Sequence, residues 1–119
     1  MLTVYAYQNC STCRKALKHL DAKGVRYQVK PIREQPPTIA ELKRALAANG
    51  GEVRKLFNTS GQDYRALGIS AKLADMSDAE ALKLLASNGN LVKRPFALSK
   101  THAVVGFDPA AWKTLIGNA

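Results

Sequence analysis

The chain has 119 residues, 46% of them hydrophobic and 23% charged, and its 18 Lys and Arg against 9 Asp and Glu give a formal net charge of +9. That length supports one hydrophobic core, and the composition is globular rather than disordered. No apolar run approaches the roughly 18 residues of a membrane span. The positive charge favours anionic partners, but aromatic residues are too few for a stacking platform, so neither a membrane nor direct nucleic-acid contact is expected.

The first segment, Leu2-Thr3-Val4-Tyr5-Ala6-Tyr7, reads as a β-strand with no signal-peptide pattern, so a reducing cytoplasm is expected. Both cysteines follow in Asn9-Cys10-Ser11-Thr12-Cys13-Arg14-Lys15, and Ala16, Leu17 and Leu20 continue from Cys13 on one helix face. Strand, turn, Cys-x-x-Cys and helix thus follow directly. Cys10 falls at the helix N-terminus, where unpaired backbone N–H groups and the macrodipole favour a thiolate, and Arg14 and Lys15 add positive charge. Cys10 is therefore the expected nucleophile. Cys13, one turn along, is spaced to attack a modified Cys10 sulfur and release a product, leaving a disulfide. Two other readings stay open. A zinc site needs more ligands, and the only histidines, His19 and His102, are not at finger spacing. The pair also fits buried thiols, which pack as small apolar residues. Asn9, Ser11 and Thr12 are candidates to line the site, although Ser and Thr at a helix start are equally caps.

Lys23-Gly24 supplies a helix stop, and Val25 to Ile32 reads as a second strand, parallel to the first across a right-handed crossover. After Pro36-Pro37, Thr38-Ile39-Ala40-Glu41 is a capping box opening a helix with Ile39, Leu42 and Leu46 inward, ending at Asn49-Gly50-Gly51. Short helices are predicted over Glu52 to Phe57 and Gln62 to Leu67, the second stopped by Gly68. A second capping box, Ser77-Asp78-Ala79-Glu80, starts a helix with Leu82, Leu85 and Ala86 inward. A β-hairpin is predicted through Ala97-Leu98-Ser99 and Ala103-Val104-Val105. Asp108 then caps a last helix with Pro109 first and Trp112, Leu115 and Ile116 against the sheet. The order is βα-β, helices, ββ-α. It predicts a single α/β domain over 1–119 of thioredoxin-like plan, with a mixed sheet and a helical insertion at 36–90. His19 is expected on the exposed side of the first helix.

With these residues in view, the chain resembles the arsenate reductase family that also contains the Spx and MgsR regulators and small glutathione-linked thiol reductases. The carriers are Asn9 to Leu17, Pro36-Pro37-Thr38, Tyr64-Arg65-Ala66-Leu67-Gly68, Leu91-Val92-Lys93-Arg94-Pro95-Phe96 and Val105-Gly106-Phe107. The resemblance implies that Cys10 attacks the substrate, that arginines hold an oxyanion, and that Arg94 is one of them, with Asn58 and Phe107 where the other two stand in the family. Arg14, Arg54 and Arg65 are possible substitutes. Pro95 matches the cis-proline that faces the cysteine in thioredoxin-like folds. The glutathione-using arsenate reductases have serine where this chain has Cys13, whereas Spx-like members keep both cysteines and use their disulfide as a switch. Ser60 replaces a further arginine of Spx. The expected site is therefore Cys10, Cys13 and Arg94, with Asn9, Thr12, Arg14 and Pro95 at the substrate or anion. No metal or bound cofactor is expected, and the expected reductant is glutathione, glutaredoxin or thioredoxin. The enzyme reading is a monomeric thiol-disulfide oxidoreductase resembling arsenate reductase. The alternative is a redox-sensing regulator that binds the C-terminal domain of the RNA polymerase α subunit.

Overall fold

A computed structural model describes residues 1–119. Four strands, β1 (Leu2–Ala6), β2 (Tyr27–Pro31), β3 (Phe96–Leu98) and β4 (Ala103–Val105), form one sheet in the order β2-β1-β3-β4. The β1–β2 pair is parallel and the other two pairs are antiparallel. The crossover between the parallel strands is α1 (Ser11–Ala22). Between β2 and β3 lie α2 (Ile39–Ala48), α3 (Gln62–Ala66), α4 (Ile69–Lys72) and α5 (Asp78–Ser87), with 3-10 turns at Val53–Leu56, Leu73–Asp75 and Gly89–Leu91. Helix α6 (Pro109–Gly117) closes the chain. This is the mixed thioredoxin-like sheet with a helical insertion that the element order predicts.

Alternation along the strands divides the core into two. Leu2, Val4 and Ala6 of β1 pack with Ala97, with Cys13, Ala16 and Leu20 of α1, and with Trp112 and Leu115 of α6. Tyr5, Phe96 and Leu98 join the insertion's Leu42, Ala45, Leu56, Leu82 and Leu85. The Trp112 Nε1–H reaches the Gly106 carbonyl at 2.9 Å, so burying the indole strands no donor.

Both capping boxes form. Thr38 Oγ1 accepts from the Glu41 N–H at 3.2 Å, and Ser77 Oγ from the Glu80 N–H at 3.1 Å, with each Glu returning a bond to the cap backbone. Glu41 also accepts a 2.7 Å bond from the Tyr5 hydroxyl, tying α2 to the sheet. Some expectations are corrected. Strand β2 is shorter than Val25 to Ile32. Ile39, at the exposed N-terminus of α2, is 42% exposed, and Ala45 takes the inward place. Residues 69–75, given no element from sequence, are helical. Asp108 holds the N-cap position of α6, but its side chain makes no capping bond. His19 is half-buried edge-on to Phe107 at 5.4 Å, and Phe107 in turn meets Trp112 at 5.2 Å.

Candidate functional site

Helix α1 begins on a cysteine. Cys10 is its N-cap, in extended conformation (φ −97°, ψ 114°), and its Sγ accepts the Cys13 backbone N–H at 3.2 Å, a bond usually made by a Ser, Thr or Asp oxygen. A donor held against the sulfur at the positive end of a helix stabilises negative charge there, and no acidic residue in the first turn opposes it. Ser11 and Thr12 are the first helical residues and do not cap, which leaves their side chains exposed. Cys10 is partly exposed, whereas Cys13 is 1% exposed in the core against α6, and both are free thiols. Burial, with the hydrogen bond and charge of Cys10 adding to it, pushes the Cys13 thiol up to about 12.

Cys10 opens into a cleft of about 630 Å³ lined by Tyr7, Asn9, Ser11, Thr12, Arg33, Asn58, Ser60, Gly61, Gln62, Asp63, Asn90 and Arg94. Four segments far apart in sequence build it. Leu56–Asn58 and Leu91–Lys93 run antiparallel, with a bridge between Phe57 and Val92 and bonds from Asn58 N–H to Leu91 O (2.7 Å) and from Lys93 N–H to Leu56 O (2.8 Å). This short ladder delivers Asn58 and Arg94 to one wall. The Arg94-Pro95 peptide is cis and carries the chain into β3. Arg33 arrives from the end of β2, where the backbone of Ile32 and Arg33 lies against Gly89. A Cβ at position 89 would collide with the Ile32 carbonyl oxygen and stand 3.1 Å from the Arg33 Cα, so glycine is required by close approach.

The positive charge here is unneutralised within the chain. The Arg33 and Arg94 Cζ atoms lie 4.8 and 5.0 Å from the centre of the Tyr7 ring, and neither guanidinium has a carboxylate partner, the sole ion pair of the chain being Lys55–Glu52. The Arg94 Nη1 is buried without a hydrogen-bond partner. The one carboxylate lining the cleft, Asp63, accepts from Asn88 Nδ2 at 3.1 Å. Asn9 Nδ2 donates to the Tyr7 hydroxyl at 3.0 Å. That bond is the main cause that lowers the Tyr7 phenol below its ordinary value; burial opposes it, and the charges of Arg33 and Arg94 add to the lowering.

Of the residues named from sequence, Asn9, Cys10, Ser11, Thr12, Asn58, Ser60 and Arg94 meet in this cleft, while Cys13 does not line it and is joined to it through the bond from its N–H to the Cys10 Sγ. Arg14 does not join them. Its Nη1 donates to the Gln8 carbonyl at 2.9 Å, and it lines a separate cleft of about 420 Å³ with Cys13, Leu17, Val29 and Pro31. Arg54 lines a third cleft with Lys55 and Lys93, Arg65 lines none of the three, and Phe107 belongs to the aromatic stack under α6. Arg33 and Tyr7 join the cleft without any motif to mark them. Their only sequence signals are a basic residue just past a strand and an aromatic three before the first cysteine. No group of three or more His, Cys, Asp or Glu side chains is arranged to hold a metal ion.

Known proteins resemble this chain over nearly its whole length. A family model described as the ArsC family matches residues 5–115. The uncharacterised protein YusI of Bacillus subtilis is 46% identical over 89% of this chain and 90% of its own length. The regulatory protein MgsR of the same organism is 28% identical over 91% of this chain and 84% of its own. Among solved structures, a possible arsenate reductase from Streptococcus mutans superposes with a TM-score of 0.87 at 43% identity, covering 96% of this chain and 97% of that one.

Proposed function

The chain belongs to the ArsC family, and from that premise we propose that it is a thiol-disulfide oxidoreductase in which Cys10 attacks, Cys13 resolves and Arg94 holds an anionic substrate. One observation carries this reading above the others: a partly exposed sulfur capping a helix shares its cleft with an arginine that has a buried, unpartnered Nη1. A buried guanidinium N–H without an acceptor costs free energy that an anion in the cleft recovers.

The Cys10 thiolate attacks one sulfur of a substrate disulfide, forming a mixed disulfide and expelling the other sulfur as a thiolate, which takes a proton. Cys10 then no longer accepts the bond or bears the charge that help to hold the Cys13 proton, so two of the causes that raise the Cys13 pKa are removed at the step that needs its thiolate. Cys13 attacks the Cys10 sulfur, the second substrate thiol leaves, and two electrons have passed from the cysteine pair to the substrate. Glutathione, glutaredoxin or thioredoxin returns them. With arsenate, the Cys10 thiolate forms an S–As bond as one arsenic oxygen leaves as water, and Arg94 and the donors at the start of α1 take up the oxyanion charge. Cys13 then attacks the Cys10 sulfur, the S–As bond breaks with its electron pair going to arsenic, and arsenite leaves as the Cys10–Cys13 disulfide forms. Asn9 and Thr12 border the sulfur, and Pro95 fixes the turn beside Arg94. The setting is cytoplasmic, with the protein a monomer that binds no metal or cofactor.

Assays of arsenate and low-molecular-weight disulfide reduction with glutathione and glutaredoxin, or with thioredoxin, test this. Turnover lost in Cys10→Ser is the expected result, and a wild type inactive on both substrates with every reductant overturns the enzyme reading. The second reading is a redox-sensing regulator acting on the C-terminal domain of the RNA polymerase α subunit, and the similarity to MgsR supports it. Capture of that domain by one redox state and not the other supports it, and capture by neither removes it.

A further inference from the structure

We propose that Arg33 is a second anion-binding residue of the Cys10 cleft and that the Tyr7 ring is the positioning residue that holds it beside Arg94, so that the site selects sulfur electrophiles carrying a carboxylate or oxyanion group. The proposal rests on Cys10 being the nucleophile but not on any particular substrate or reductant.

Arg33 and Tyr7 stand outside the arginine positions that the family resemblance supplies, and the geometry alone brings them in. Each guanidinium lies within about 5 Å of one ring centre, which bounds their separation at about twice that, and both line the cleft into which Cys10 opens. Two like charges at that range repel, and with no carboxylate on either, something must offset the repulsion. The negative π-face of Tyr7 does so in part, and the Asn9 donor on its hydroxyl restrains the ring. An anion between the guanidiniums completes the neutralisation. The backbone anchor is equally specific: Arg33 follows the residue whose carbonyl fills the space that a side chain at Gly89 would occupy. Asp63 lines the same cleft and accepts from Asn88, but it makes no ion pair with Arg33 or Arg94.

The test uses two alkylating agents that differ chiefly in charge. Iodoacetate and iodoacetamide both form a C–S bond at the same thiolate with loss of iodide, so the ratio of their rates cancels the thiolate fraction. Free N-acetylcysteine gives the reference ratio. We expect the reduced protein to favour iodoacetate at Cys10 by roughly five- to tenfold over that reference at low salt, by the size of screened charge interactions. Arg33→Gln and Tyr7→Leu should each remove several-fold of that preference, whereas Tyr7→Phe, which keeps the ring, should retain most of it. Slowing of iodoacetate by S-methylglutathione identifies a carboxylate ligand, and slowing by inorganic phosphate identifies a tetrahedral oxyanion; either supports the site. A wild-type ratio equal to the reference overturns the proposal, and so does a preference that survives Arg33→Gln and Tyr7→Leu but vanishes in Arg94→Gln. The absolute iodoacetamide rate reports separately on Cys10 as nucleophile. A rate no faster than that of N-acetylcysteine counts against the enzyme reading, while the charge ratio still decides the anion site.

Discussion

Cys10 and Cys13 differ by environment more than by position. One is partly exposed at a helix start, and the other is sealed in the core with its thiol pushed up to about 12. Brief alkylation of the reduced protein at pH 8, followed by peptide mass spectrometry, should therefore label Cys10 and spare Cys13. Cys13→Ser should accumulate a mixed disulfide at Cys10 after one turnover. Because the folded protein holds the Cys13 proton more tightly than the unfolded chain, the folded state binds more protons between about pH 9 and 12. The resulting stability is intact below pH 9 and is lost as pH rises through that window. Denaturant midpoints should fall there more steeply for wild type than for Cys13→Ala. The cysteine pair was legible because Cys-x-x-Cys after a strand fixes its own local geometry. Arg33 and Tyr7 were not, because their meeting with Arg94 depends on how β2, the insertion and the β3 approach converge, and Arg14 lies near Cys10 in sequence but outside its cleft because its guanidinium turns to the Gln8 carbonyl.

At the scale of elements, the helices that announced themselves are those whose ends are written in side chains. Thr38→Ala and Ser77→Ala each remove a cap and should each cost about 1 kcal/mol, lowering Tm by a few degrees in a thermal melt. Residues 69–75 lack such a signature. Helix α4 is four residues long and starts at Gly68 with no side-chain cap, so its shape comes from the packing of Ile69 and Leu73 on the insertion core. The Phe57–Val92 bridge was equally silent, since neither strand is long enough to show alternation. Gly89→Ala should be the harshest small substitution in the insertion, costing about 1–3 kcal/mol or more by overpacking, because the obstacle is main chain and cannot turn aside.

Across the whole molecule, a net charge of +9 accompanies a single ion pair, so most cations face solvent without fixed partners. Association with anionic substrates should weaken as salt rises, and kcat/KM for a carboxylate-bearing disulfide should drop several-fold between about 0.05 and 0.5 M salt while a neutral disulfide changes little. No helix is long and apolar enough to cross a membrane. The close fit of Gly89 against the end of β2 has a consequence at this scale too. Main chain meets main chain there, so a bulkier residue in place of Gly89 would wedge the insertion away from the strand exit and displace the backbone that carries Arg33 toward Cys10.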